Sequence, residues 1–307
     1  MPHDHAHGHH HHHVDPDSGD RAVAAAVGVN VALTVAEIVG GILSGSVALI
    51  ADAVHNLSDA ASLGIAWFAR RIARRPTDET MTFGYKRAEL VAALINLTTL
   101  IVIGIYLIYE AVQRFFAPVE VIGWLMIWVS VFALIVDAVT AWLTYRLSKD
   151  SVNIRAAFLH NVADALGSVA VIITGLLIVW FGWTWADPLA TLIIAGYILW
   201  MAVGEIRGVI RTLMLGTPPG IEPGAVLAAM ETVEGVSDVH HLHIWQISER
   251  VVSLEAHLVT EAETLPQIAE LKGAMRDMLH ERFEITHVTL DTETPEMACA
   301  HPARIGS

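Results

Sequence analysis

The sequence predicts a membrane protein of six transmembrane helices followed by a cytoplasmic α+β domain with the element order αββαβ. Three observations carry this. Hydrophobic residues make up 54% of the 307-residue chain and charged residues only 16%, with a mean hydropathy of +0.52, where a soluble domain carries about 25% charged residues. The charge deficit is concentrated in long apolar windows. After Leu215 the run GTPPGIEPG breaks the helical pattern, and shorter elements with more charge follow.

The six windows are Val23–Leu43, Val47–Ala69, Leu90–Tyr109, Val121–Leu143, Ala156–Trp180 and Pro188–Gly204. At about 1.5 Å per residue most of them reach across a hydrocarbon core of about 30 Å. The sixth is short, and is expected to continue as a helix past Glu205 and Arg207. Basic residues set the orientation. The second link holds Arg70, Arg71, Arg74, Arg75, Lys86 and Arg87, and the fourth adds Arg146, Lys149 and Arg155, whereas the odd links hold little beyond Arg114, Glu120 and Asp187. By the positive-inside rule both termini are cytoplasmic, with the chain in the plasma (inner) membrane. The divisions are a tail at 1–20, a six-helix transmembrane domain at 21–211, a soluble domain at 216–294 and a second tail at 295–307.

In the soluble part, Ala225–Glu234 and Leu265–Phe283 read as helices, and Val236–Ile247, Val251–Thr260 and Ile285–Thr292 as strands. About 80 residues is marginal for independent stability, so docking on a second copy, a homodimer, is the expected state.

Several classes are excluded. The net charge of −14 comes without a basic stripe, which argues against nucleic acid. One cysteine, Cys299, permits neither an internal disulfide nor a thiolate-only metal cage. The start, MPHDHAHGHHHHHV, has histidines where a signal peptide has its basic region and cleavage site. It reads as a loose metal collector on the cytoplasmic side.

Within the apolar windows the ionisable residues are Glu37, Asp52, His55, Asp59, Asp137, His160 and Asp164, with no Lys or Arg at comparable depth. Each intramembrane carboxylate costs roughly 2.5–3.5 kcal/mol on insertion scales. With no cationic side chain to pair with them, the natural partner is a cation from outside the chain. The second window reads HNLSDA from His55 and the fifth HNVADA from His160. A His and an Asp four residues on lie about 40° apart around a helix and roughly 6 Å along it, so each helix offers a nitrogen and an oxygen to one point. A single such pair is commonly just a packing hydrogen bond. Two copies facing each other give His55, Asp59, His160 and Asp164, a tetrahedral shell suited to Zn²⁺ and tolerant of cobalt, cadmium, iron or nickel. Asp52, one turn before His55, is assigned to orienting the imidazole or relaying protons. Asn30, Glu37, Asn96 and Asp137 are candidates to line a wet cavity.

At these residues the chain resembles the cation diffusion facilitator family, of the zinc-exporting kind. The likeness runs through GSVALIADAVHNLSDAASL, TFGYKRAELVAALIN, AAFLHNVADALGSVAVI, VHHLHIWQI and EAHL. The resemblance implies a homodimer with one transport site per protomer, alternating access coupled to proton antiport, no organic cofactor, and a ferredoxin-like cytoplasmic domain that binds zinc. Some members carry a further metal site in the link between helices two and three; here that link has Asp78 and Glu79 but no histidine, so that site is expected to be absent.

For the cytoplasmic metal the resemblance points to His240 and His257 with Glu293 nearby. Strand alternation instead turns His241, His243 and His257 outward, and Cys299 and His301 of the tail are within reach of this domain. Metal ligation needs neutral imidazoles, which ordinarily titrate near about pH 6.5, and ionised carboxylates, so loading releases protons and protons displace the ion. An intramembrane metalloprotease would need HExxH, which does not occur. A metal sensor that signals without transport, and a zinc importer, remain as rivals that a flux or tolerance measurement separates.

Overall fold

A computed structural model describes residues 16–147, 152–248, 251–299 and 302–306. Six long helices come first: α1 (Pro16–Ser44), α2 (Val47–Ala73), α3 (Ala88–Phe116), α4 (Gly123–Leu147), α5 (Val152–Phe181) and α6 (Ala186–Leu213). Each coincides with one apolar window, and α6 does run on past Glu205 and Arg207. Among the described residues, α3, Gly123–Trp142 of α4, Phe158–Phe181 of α5 and α6 are long and apolar enough to cross a membrane; α1 contributes a shorter apolar stretch, Val31–Ser44. In α2 the polar run from Asp52 to Asp59 interrupts the apolar sequence.

The chain divides into two compact units, one up to Leu63 together with Leu100–Leu199, the other Gly64–Thr99 together with Trp200 onward. In the first unit α4 packs along α5 and against α1. The crossing of α4 and α5 is close because Gly123 and Gly175 face each other: a Cβ on Gly175 would lie 2.6 Å from Ile127, and one on Gly123 would lie 2.7 Å from Val179. Buried Leu49, Met126, Val171 and Ala190 tie α2, α4, α5 and α6 together, and Ala51, Leu107 and Ala195 do the same for α2, α3 and α6. Without a hydrophobic driving force between helices in lipid, such small-residue contacts are the means of close packing.

The second unit contains the soluble domain: α7 (Pro223–Met230), β1 (Val236–Ser248), β2 (Val251–Thr260), α8 (Leu265–Phe283) and β3 (His287–Glu293). The helix α6 ends where Leu215 takes a left-handed conformation (φ 61°), at the break expected from GTPPGIEPG. The sheet order is β1-β2-β3, antiparallel between β1 and β2 and parallel between β2 and β3, with α8 as the crossover. Leu271, Met275 and Leu279 at helical spacing turn one face of α8 onto Leu254, Leu258 and Leu242. The helix α7 stops at Met230, four residues before the expected Glu234. Its last turn tightens there, with the N–H groups of Thr232 and Val233 donating to the carbonyls of Ala229 and Met230.

The start of α8 is fixed by Gln267 Oε1, which accepts from the Thr264 N–H at 3.1 Å. At its end Glu284 sits in the left-handed region, φ 56° and ψ 26°, where glycine is favoured. The variant Glu284→Gly is therefore expected to stabilise the soluble domain by about 1 kcal/mol. Thermal melting of the full chain, monitored by hydrogen exchange of the β1 and β2 amides, checks this; an unchanged or lower midpoint contradicts it.

Candidate metal centres

The first centre is built from α2 and α5. The one-turn spacing puts His55 and Asp59 on one face of α2 and His160 and Asp164 on one face of α5, and the structure brings the two faces together. His55 Nε2 lies 3.7 Å from Asp59 Oδ2 and 3.3 Å from Asp164 Oδ1; His160 Nε2 lies 3.1 Å from Asp59 Oδ2 and 3.6 Å from Asp164 Oδ2. One ligand atom from each of the four lies within 4.8 Å of all the others. Asp59 Oδ2 and Asp164 Oδ1 are buried and accept no hydrogen bond, which is costly unless a cation completes them. The two imidazole rings meet edge to face at 5.8 Å. Two ionised carboxylates and two neutral imidazoles would leave a bound divalent ion with no net charge, the arrangement that a low-dielectric site favours.

Around this tetrad the other polar residues separate into distinct contacts. Glu37 on α1 is fully buried and its Oε2 accepts from Asn56 Nδ2 at 2.9 Å. Asp137 on α4 accepts from Ser168 Oγ of α5 at 3.2 Å. Asp52 is buried against α5 at Gly167, where a Cβ would stand 2.9 Å from Asp52 Oδ1. The pairing expected between Asp52 and the His55 ring is not made: Asp52 Oδ2 and His55 Nδ1 are each buried without a hydrogen-bond partner. Asn96 is half-buried on α3, and the side chain of Asn30 lies outside the described residues. The role of Asn56 was missed. Its signal was the asparagine that follows the histidine in both motif copies.

In the link between α2 and α3, Asp78 organises a turn. It accepts from the Tyr85 hydroxyl at 2.6 Å, from the Thr80 hydroxyl and N–H, and from the Met81 N–H. The Tyr85 hydroxyl first, then Thr80, holds the Asp78 carboxyl well below the usual carboxylate range, and the same bond raises the Tyr85 phenol. A depressed carboxyl supports the turn above its unfolded pKa and loses that support as pH falls through the folded value, so the turn persists at any physiological pH.

The second centre lies in the soluble domain, and here strand alternation misled. The register pairs His240 with His257 and then His243 with Glu255, so β1 carries a bulge at His241 and Leu242. His241 takes φ 51° there. The extra residue reverses the facing of what precedes it and so sets His240 on the face of its partner His257, where it is completely buried; among the described residues His243 belongs to no group able to hold a metal. His240 Nε2 lies 3.2 Å from Glu293 Oε2, and His257 Nδ1 2.6 Å from Glu293 Oε1. His240 Nδ1 contacts Asp238 Oδ2 at 3.1 Å, a neighbour the sequence reading did not name. His240, His257 and Glu293 form one possible ligand triad, and His240, His241 and Cys299 another. Buried His240 Nε2 and Glu293 Oε2 make no hydrogen bond, so the residues fit a metal. His301 and the N-terminal histidines lie outside the described residues.

Residues 23–214 match the family model described as the cation efflux transmembrane domain, and residues 218–295 that of the cation efflux protein cytoplasmic domain. A cadmium, cobalt and zinc/H(+)-K(+) antiporter of Bacillus subtilis is 40% identical over 262 residues, covering 84% of each chain. The zinc transporter ZitB of Escherichia coli is 34% identical over 280 residues, covering 90% of this chain and 88% of its own. A solved structure of the metal-bound C-terminal domain of the CzcD transporter from Cuprividus metallidurans is 32% identical, with a TM-score of 0.22, over 24% of this chain and 99% of that one.

Proposed function

This chain belongs to the cation efflux family, the cation diffusion facilitators whose motifs it carries, and on that premise we propose that it exports Zn²⁺ from the cytoplasm in exchange for protons. It is an integral-membrane metal-cation transporter; the metal, the counter-ion and the site are our reading. Cadmium and cobalt are accepted alongside zinc, since a nitrogen and oxygen ligand set discriminates weakly among such ions.

The observation that carries the proposal is the tetrad, His55, Asp59, His160 and Asp164, with four ligand atoms converging on one point. Loading from the cytoplasmic side requires both carboxylates ionised and both imidazoles with a free lone pair, so an arriving ion expels protons. Rocking of the bundle exposes the loaded site to the opposite face. Protons there compete for the same nitrogen and oxygen atoms, the ion leaves, and the protonated site returns. Asp52 is close enough in sequence and depth to pass protons to the tetrad. Both termini are cytoplasmic, the membrane is the inner one, and the working unit is a homodimer joined through the soluble domain. With four ligands committed to the ion there is no open position for a reactive water, and we assign the chain no enzymatic activity. In the soluble domain, His240, His257 and Glu293 hold a metal ion that strengthens the dimer.

The direction of transport is tested in cells. Expression of the chain in a zinc-sensitive host should raise zinc tolerance severalfold and lower cytoplasmic zinc. A fall in tolerance would mean import, and no change would favour the sensor reading.

A further inference from the structure

The two triads in the soluble domain share His240. A neutral imidazole offers one lone pair while its other nitrogen carries the proton, so His240 can complete one triad at a time. We propose that the two are alternative sites with different metal preferences. His240, His257 and Glu293 take zinc-class ions, and His240, His241 and Cys299 take a soft, thiophilic divalent cation such as cadmium, each ion displacing the other. The inference rests on the reading of the soluble domain as metal-binding, and adds a second ligand set and a selection rule to it.

The thiol triad is built by three features of the fold. The bulge at His241 and Leu242 turns the His241 ring toward those of His240 and His257, with ring centres 5.2 and 5.1 Å away. The C-terminal segment then folds back along the bulged part of β1. The His241 N–H donates to the Ala303 carbonyl at 2.9 Å, the Leu242 N–H to that of Arg304 at 3.2 Å, and the Gly306 N–H to that of Leu242 at 3.1 Å. An ion pair between Arg304 and Glu231 fastens the same segment. This docking holds Cys299 beside the two histidines. The Gly306 carbonyl lies 3.0 Å from His241 Nδ1; accepting a hydrogen bond from the Nδ1–H there fixes the tautomer that leaves Nε2 free for a metal, the usual function of a partner behind a ligating imidazole.

His240 supplies the independent sign of a ligand. It is fully buried, and its Nε2 faces Glu293 Oε2 with neither atom hydrogen-bonded. Each triad brings one negative charge, a carboxylate in one and a thiolate in the other, and each leaves one position of a tetrahedron for water. They differ in softness, and a thiolate selects the softer ion.

Cys299 is the chain's single cysteine, so an ultraviolet thiolate-to-cadmium charge-transfer band reports on this site alone, whatever binds at the transmembrane tetrad or the histidine-rich start. The experiment titrates the full chain in detergent with cadmium, then adds zinc at buffered free concentrations. The band should appear on cadmium addition and be removed by zinc. In Glu293→Gln and in His257→Ala the band should still form, which shows that the domain is folded, and at least about tenfold more free zinc should be needed to halve it. In Cys299→Ser no band should form. Absence of the band in the unaltered chain overturns the thiol site. A band that zinc does not remove, or removes equally well in the Glu293→Gln and His257→Ala variants, overturns the sharing of His240. All of these outcomes leave the zinc-tolerance result untouched, so this inference and the transport reading fail separately.

Discussion

Replacing Asp164 with alanine is expected to abolish metal flux, with at least about a hundredfold loss of zinc affinity at the transport site. The expectation is larger than the 10–100-fold cost of losing a partner that only orients a ligand, because Asp164 is both a ligand and a charge. Its two oxygens face the Nε2 atoms of His55 and His160 at 3.3 and 3.6 Å. Without it a divalent ion would sit among two neutral imidazoles and a single carboxylate, leaving a net positive charge in a low-dielectric bundle. Asp59→Ala should behave alike, since Asp59 Oδ2 also faces both imidazoles. Asp164→Asn separates the two contributions: it keeps an oxygen and the side-chain size but not the charge, and should also fail to transport. Zinc flux into proteoliposomes is the measurement. Flux within about twofold of the unaltered chain in either alanine variant would sink the tetrad as the transport site.

The largest effect on stability should come from a residue outside that site. Asp187, at the start of α6, is fully buried and closes the N-terminus of α2. It accepts from Ser46 Oγ at 2.5 Å, from the Val47 N–H at 3.0 Å and from the Ala48 N–H at 3.3 Å, while Ser46 Oγ in turn accepts from the Leu49 N–H at 3.1 Å. The first N–H groups of a helix have no partner inside it, and in this position they would otherwise be buried unpaired. The Arg114 guanidinium stands 3.8 Å from Asp187 and also donates to the Gly45 carbonyl. Asp187→Ala would orphan the buried Val47 and Ala48 N–H groups and the Ser46 hydroxyl together, at a cost of about 3–5 kcal/mol, while Arg114 keeps its pairing with Glu110 at 3.1 Å. Ser46→Ala, which removes a neutral partner, should cost about 1 kcal/mol. Thermal melting in detergent should rank the two variants in that order. Equal melting of Asp187→Ala and the unaltered chain would contradict the assignment.

These two residues also show what was and was not legible in the sequence. The tetrad was legible because a helix converts a spacing of four into a shared face, and the same spacing occurred twice in windows without a basic residue. The six helices were legible because each apolar stretch had to bury or solvate itself as a unit, and α6 even kept the predicted extension past Arg207. Asp187 was noted only as a link residue. Its partners lie about 140 positions away, and no local pattern encodes a cap supplied by another helix. The site in the soluble domain was legible only in part. Alternation along β1 assumes two residues per repeat, and the bulge at His241 and Leu242 breaks that count, so alternation placed His241 and His257 together but counted His243 in and left His240 out. Cys299 was assigned to reach the domain without a route; the route is the return of the chain along β1, which short tail sequences do not announce. The bond from Asn56 to Glu37 joins α2 to α1, and again depends on packing that periodicity alone does not fix.

The central claim is that zinc and protons exchange at one set of atoms. It is tested most directly by zinc accumulation in proteoliposomes across an imposed pH gradient. With an acid lumen, zinc should accumulate inside above its external concentration, the lumen should become more alkaline as it does so, and a protonophore should abolish the accumulation. Zinc that equilibrates at the same rate and to the same level with or without the gradient would contradict the account.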